Sequence, residues 1–224
     1  VQVRVPALSG VSIKAAHIED SDSVSVEGLT VSHGRCELQL DRNGWIKSLR
    51  WDGQPAAFQG PAGQLVSYVD KPSRFEAWDL DRHSLAMGTP CAEKPVITPF
   101  SEGHRGGFRV QRRVGSKSTA TVEFALEAGS PLVHVAIDLD WQDEHALLKF
   151  HLPTRHLAPH ARFGIPYGSV LRPQVTSGLH SEAMWEVPFS RWLAVFDERE
   201  SEGIFAATEA KYGATVRDGA IGIS

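Results

Sequence analysis

Cysteine is nearly missing from this chain: Cys36 and Cys91 are the only two thiols in 224 residues. That is too few for a disulfide framework, and no Cys-x-x-Cys pair suggests a redox or zinc motif. A reduced, cytoplasmic setting is the simplest reading, with a single Cys36–Cys91 bridge as the alternative. No apolar run approaches the roughly 20 residues needed to cross a bilayer. The N-terminal VQVRVPALSG lacks the charged, apolar and small-residue regions of a signal peptide. A surplus of one charge is also lacking. Twenty-three Lys and Arg against 27 Asp and Glu leave a net −4, which gives no basic footprint for nucleic acid or anionic membrane. The nucleophile elbow Gly-x-Ser-x-Gly, the P-loop, Gly-x-Gly-x-x-Gly and His-Glu-x-x-His are all absent, and with them the chemistry each one carries. Ten histidines invite a metal reading, and His145, His151, His156 and His160 form the densest group. On a strand, His145 and His151 share a face yet lie roughly 20 Å apart. These histidines read as surface or turn residues, and a zinc site wholly inside the chain is not expected.

Helical periodicity is scarce too, and period-two alternation takes its place. Cys36, Leu38 and Leu40 alternate with Glu37, Gln39 and Asp41, which predicts a strand with one buried face. Asp41-Arg42-Asn43-Gly44 then turns the chain, and Trp45 to Trp51 returns as the second strand of a hairpin. From Phe108 to Trp141 the alternation is almost unbroken. It places Val122, Phe124 and Leu126 on one face, with Val133, Val135, Ile137 and Leu139 returning on the same face. Ala146 to Leu152 is a further strand, stopped by Pro153, and the last third consists of short β-like runs flanked by proline. The fold class predicted is all-β, a large antiparallel sandwich. Residues 1–28 read as a linker or edge segment, and 29–224 as one domain. The chain stops at Ile221-Gly222-Ile223-Ser224 in mid-strand, as a piece of something longer would.

One stretch carries more chemistry than a loop needs. Gln64 to Asp81, QLVSYVDKPSRFEAWDLD, starts as an apolar strand, breaks at Asp70-Lys71-Pro72-Ser73 and then gathers acids and aromatics. Planar rings stack on sugar faces and carboxylates accept hydrogen bonds from hydroxyls, so the mixture suits carbohydrate. A buried aromatic corner with solvated acids is the plainer reading of the same residues. Asp79 and Asp81 share a face if extended, and Asp138, Asp140, Asp143 and Glu144 form a second acidic group around Trp141. Glycoside hydrolysis uses two carboxyls about 5 Å apart, or further for inversion, a distance that spacing in sequence does not fix. Solvated strand ends account for the second group equally well.

Several ordered motifs then line up. They are Tyr68-Val69-Asp70-Lys71-Pro72 with Glu76-Ala77-Trp78-Asp79-Leu80-Asp81; Asp138-Leu139-Asp140-Trp141 through Ala146-Leu147-Leu148-Lys149; Gly164-Ile165-Pro166-Tyr167-Gly168 with Arg172-Pro173; Trp185-Glu186-Val187-Pro188 with Arg191-Trp192; and Lys211-Tyr212-Gly213. In order and spacing, across about residues 29–224, this resembles the C-terminal β-domain of family 38 glycoside hydrolases, the α-mannosidases of the bacterial and cytosolic or vacuolar branch. The resemblance implies a galactose mutarotase-like supersandwich, incomplete at its C-terminal end. It implies a parent enzyme with retaining, zinc-dependent α-mannosidase activity on mannose-containing glycans. The nucleophile and zinc would lie largely on an N-terminal barrel of the same polypeptide, so this chain alone is expected to be inactive and to bind no metal. Trp78, Asp79 and Asp81 are the candidates to face substrate or the domain interface, while Asp70 and Arg74 are expected to fix the loop. Glu144-His145 reads as an interstrand pair and Arg191-Trp192 as a structural stack.

Two other classes remain beside that one. A stand-alone mutarotase-like sugar epimerase needs a His acid and a Glu base, for which His145 and Glu186 are the available pair. A binding module without chemistry would use Trp45, Trp51 or Trp78 as stacking platforms.

Overall fold

The structure is a computed structural model and describes residues 23–75, 79–175, 177–209 and 211–224. Residues 1–22 of the expected linker or edge segment, and the candidate Trp78, lie outside the described residues.

In chain order, β1 (Ser25–Glu27), β2 (Thr30–His33), β3 (Cys36–Leu40), β4 (Ile46–Trp51) and β5 (Gln54–Pro55) form a five-stranded meander. After β6 (Gln64–Val69) and β7 (Thr89–Pro90) comes a second meander of β8 (Val96–Ser101), β9 (Arg105–Val114), β10 (Ser118–Glu127) and β11 (His134–Asp140). Next are β12 (Ala146–Pro153), the hairpin β13 (His160–Ile165) and β14 (Gly168–Pro173), and β15 (Val187–Pro188). The chain continues with β16 (Trp192–Phe196), β17 (Gly203–Ala207), β18 (Gly213–Arg217) and β19 (Ala220–Ile223). β15, β18, β19, β12, β6 and β7 make a six-stranded sheet in that order, and β14, β13, β16 and β17 a four-stranded one. The strand pairings among the described residues are antiparallel. Among the described residues, helix is confined to a 3-10 turn at Arg82–Met87 and the short α1 (Leu179–Glu182).

Local chemistry explains the β3–β4 turn. Asp41 accepts the N–H groups of Asn43 at 2.8 Å and Trp45 at 3.0 Å, while Gly44 takes a φ of 70°. A Cβ on Gly44 would lie 2.4 Å from a methyl of Val110, so the turn also seats the first sheet on the second.

Two apolar clusters form the core. Val31, Leu38, Leu40 and Ile46 of the first sheet meet Phe108, Val110, Val122 and Phe124 of the second, with Leu65, Phe150 and Leu152 of the six-stranded sheet against them. Phe163, Leu193 and Val195 meet Val187, Val216 and Ile221 in the other cluster, and Leu152 reaches both. Each such side chain contributes about 1.5–3 kcal/mol on full burial.

One expectation needs correcting. The register Val122↔Ile137 and Phe124↔Val135 does put the β11 side chains on the core-side face. Yet Val135, Ile137 and Leu139 remain about 40% exposed, because β11 is an edge strand with partner strand on one side only.

The six-stranded sheet is two-faced. Registers Phe150↔Leu65, Leu152↔Ile221 and Val216↔Ile221 line up its apolar face. Leu147↔Tyr68, His151↔Gly222 and Thr215↔Gly222 put Tyr68, Lys149, His151 and Thr215 together on the opposite face.

Candidate functional site

Pairing of β6 with β12 decides where the acidic stretches go. Val69 sits opposite Ala146, and the next N–H, that of Asp70, donates to His145 O at 2.8 Å. The loop after β6 therefore leaves the sheet beside the β11–β12 loop. A shallow depression between them is lined by Asp70, Trp141, Asp143, Glu144, His145 and Ala146. Asp70, at the start of the first stretch, thus shares a rim with Asp143 and Glu144 of the second acidic group.

Asp143 anchors that rim. Its carboxylate accepts from Ser116 N at 2.9 Å, Ser116 Oγ at 2.5 Å, Lys117 N at 3.1 Å, Ser118 N at 3.0 Å and Ser118 Oγ at 2.6 Å. The hydroxyls of Ser116 and Ser118 and the neighbouring amides hold its carboxyl well below the usual carboxylate range. Asp143 is a fixed negative charge clamped to the β9–β10 turn. Glu144 and His145 are exposed neighbours in the loop before β12, with His145 at a φ of 51°. They do not face one another across strands as an interstrand pair.

The loop from Asp70 to Asp81 is closed by its own groups. Asp81 accepts the Ser73 N–H at 3.1 Å, its carbonyl accepts the Ser84 N–H at 2.9 Å, and Asp79 N donates to Phe75 O at 2.9 Å. Asp81 holds the loop's two ends together, while Asp79, Arg74 and Phe75 are exposed. A second segment straps the loop down. The Trp185 indole N–H donates to Leu80 O at 2.8 Å, Arg82 pairs with Glu182 at 2.9 Å, and Arg217 donates to Glu182 O at 3.1 Å.

Beneath these two segments lies a polar cluster that spacing in sequence did not reveal as a unit. Lys149 is 1% exposed, pairs with Glu186 and donates to Thr215 Oγ1 at 2.9 Å. The Thr215 hydroxyl lies 2.7 Å from Glu186 Oε2 and 2.8 Å from Trp185 O, and the Ser224 hydroxyl donates to Glu186 Oε1. With Lys149, Thr215 and Ser224 on its two oxygens, the Glu186 carboxylate is engaged by its own chain. The cluster works as a lock between β12, β18 and the 185–187 segment. Beside it, Tyr68 Oη and His151 Nε2 are 2.7 Å apart with stacked rings. Burial, with Glu186 nearby, pushes the Tyr68 hydroxyl up to about 12, and burial, with Lys149 nearby, lowers His151 to about 4. The signal available in the sequence was a cation and an imidazole two apart inside the apolar run Ala146–Leu152.

Other candidates separate. His145 is four residues from Lys149, roughly 13 Å along a strand, so it is not brought to Glu186. Trp51 is exposed with Arg35 5.7 Å from its ring, and Trp45 is part-buried with Arg112 5.7 Å away. Trp192 stacks on Phe205 at 5.6 Å, so the partner is Phe205 where the sequence suggested Arg191. Cys36 and Cys91 are both free and buried, and the alternative of a bridge is not realised.

Comparison with known proteins gives one family match. The model of the family described as "Glycosyl hydrolases family 38 C-terminal domain" matches residues 31–224. No curated protein matches the chain. An alpha-mannosidase from Enterococcus faecalis V583 is similar in structure with a TM-score of 0.71 and 12% identity, over 87% of this chain and 25% of that one. A glycosyl hydrolase family 38 protein from Enterococcus faecalis, solved to 2.55 Å, gives a TM-score of 0.71 and 12% identity over 87% and 26%. At that identity the likeness is one of fold, and this chain spans about a quarter of the length of either structure.

Proposed function

The chain belongs to the glycosyl hydrolase family 38 C-terminal domain family, and from that membership we propose that it is the accessory β-domain of a retaining, zinc-dependent α-mannosidase. The observation that carries this reading is the family match over residues 31–224. In this reading residues 1–28 are a linker and edge segment, and residues 29–224 form a galactose mutarotase-like sandwich. The domain packs on a catalytic barrel of the same polypeptide, and its acidic rim borders the cleft that takes a mannose-containing glycan.

Among the described residues, no group of three or more His, Cys, Asp or Glu is arranged to hold a metal ion. From family membership, the zinc is assigned to the parent's catalytic domain. What these residues do is position. Asp143 fixes the β11–β12 loop, Asp81 closes the loop after β6, and Asp79 is left exposed on that loop to accept a hydrogen bond from a sugar hydroxyl or an interdomain donor. Two free, buried thiols support a cytoplasmic setting.

The test is hydrolysis of an aryl α-mannoside with added zinc, by the parent enzyme and the 224-residue chain in parallel. Activity in the parent alone is the expected result. Turnover by the isolated chain would overturn the reading and shift attention to a carboxylate pair within these sheets.

A further inference from the structure

Three of the motifs picked out in the sequence play no part in the acidic rim: Gly164–Gly168, Arg191-Trp192 and Lys211–Gly213. The fold laces them together at one end of the four-stranded sheet. Ser190 N donates to Gly164 O at 2.7 Å, Phe189 N to Tyr212 O at 2.8 Å, and Thr208 N to Arg191 O at 2.7 Å. Gly164 is the hub. A Cβ there would lie 2.3 Å from Ser190 O and 2.7 Å from Trp192 Nε1, so the crossing segment rests directly on the base of the β13–β14 hairpin. The Trp192–Phe205 stack holds that base from the next strands.

From this rigid base the hairpin carries its tip outwards. Ile165 pairs with Gly168, which leaves Pro166 and Tyr167 as a two-residue loop. Tyr167 has a φ of 66°, the conformation a turn after proline gives to glycine or asparagine. It is also fully exposed, and Ile165 and Tyr212 on the same rim are substantially exposed. Arg191, exposed as well, is a second non-glycine residue in the left-handed region, at a φ of 65°. A large ring in a glycine's seat, with its whole surface in water, is compensated by nothing around it among the described residues.

We propose that the β13–β14 tip is a second docking surface, occupied by a part of the same polypeptide outside residues 31–224 that presents an apolar socket for Tyr167 and a carboxylate for Arg191. The proposal rests on the reading that this chain is part of a longer mannosidase. The solved structures it matches are about four times as long as the segment it covers, which supplies the occupant. The surface is distinct from the acidic rim. It belongs to a different sheet, so each can be right without the other.

The experiment uses the full-length parent carrying one new cysteine at a time, Tyr167→Cys, Asp79→Cys or Gln54→Cys, labelled with a maleimide under native conditions at two protein concentrations. Gln54 lies on an exposed edge strand and sets the unprotected rate. Tyr167→Cys is expected to label at least tenfold more slowly than Gln54→Cys at both concentrations. Equal rates overturn the proposal, and so does protection confined to the higher concentration, since the occupant is then a second copy. Asp79→Cys reports separately on the loop after β6. Hydrogen exchange across residues 165–168 of the unsubstituted parent reads the same surface without a mutation, with strong protection expected and free exchange overturning it.

Discussion

His151 makes stability depend on pH in the mildly acid range. Burial beside Lys149 lowers its folded pKa to about 4, against an ordinary value of 6.5. Between those values the unfolded chain takes up a proton that the folded chain refuses, so stability falls as pH drops through the window. At 1.36 kcal/mol per unit this amounts to about 3 kcal/mol by pH 4. His151→Gln keeps a polar partner for Tyr68 and should flatten that slope, measured as urea midpoints from pH 7 to 4. Asp143 acts in a lower window. Its folded pKa is depressed below the ordinary carboxylate value, so its contribution is present above that value and lost only as pH falls further. Lys149 makes a separate prediction, because removing one partner of a buried pair strands the other. Lys149→Met is expected to cost about 3 kcal/mol. Adding Glu186→Gln should restore part of it by neutralising the stranded carboxylate, and a double-mutant cycle of denaturation midpoints measures the coupling. If the second change only deepens the loss, the pair is not the lock described.

At the scale of elements, what was legible in the sequence was local. The β3–β4 hairpin announced itself through alternation of Cys36, Leu38 and Leu40 and through Gly44, which does take positive φ. The long β9–β10 hairpin was equally plain, since ten-residue strands repeat the period often enough to leave no doubt of face. What stayed hidden was non-local. Nothing in the run Ala146–Leu152 says that Lys149 meets Glu186, because the segment carrying Glu186 reaches this sheet only through β15 and β18. The rim was half legible: the acids after Asp138 were visible as a group, but their meeting with Asp70 depends on β6 pairing with a strand some eighty residues away. Exposure of Val135, Ile137 and Leu139 was illegible for another reason, since period two fixes a face and not what covers it. Two contacts between elements can be tested. A Cβ on Gly107 would lie 1.9 Å from Phe124 O and 2.8 Å from Ala125 Cα, backbone that cannot swing away. Gly107→Ala should therefore cost about 3 kcal/mol by forcing β9 from β10, whereas Gly60→Ala, which meets open space, should shift stability by less than about 0.5 kcal/mol. Thermal midpoints of the two variants separate the cases. Trp185→Phe removes the indole bond to Leu80 O. It should cost about 1 kcal/mol and speed hydrogen exchange across residues 79–88 while leaving β9 and β10 unchanged.

For the whole molecule, the division between holding and touching becomes a kinetic question. Asp81 is engaged within its own loop and Asp79 on the same loop is exposed, so the two carboxylates, read alike from their spacing, are held differently. Asp79→Ala removes a surface acceptor and leaves the loop closed. It is expected to lower kcat/KM of the parent on an aryl α-mannoside about tenfold, the value of one lost hydrogen bond to a charged group, with Tm unchanged. Asp81→Ala releases the Ser73 N–H, so the loop loses its closure and Asp79 loses its placement. That variant should lower kcat/KM by a similar or larger factor and also lower Tm, because misplacing a positioning group by an ångström is itself costly. The contrast between the variants carries the argument. A loss of activity with Tm intact at Asp79, set against a loss of both at Asp81, identifies a loop whose exposed acid acts on a partner of the domain and whose other acid holds it closed. If Asp79→Ala leaves kcat/KM unchanged while Asp81→Ala lowers Tm alone, the loop is structural and the proposed role of Asp79 falls.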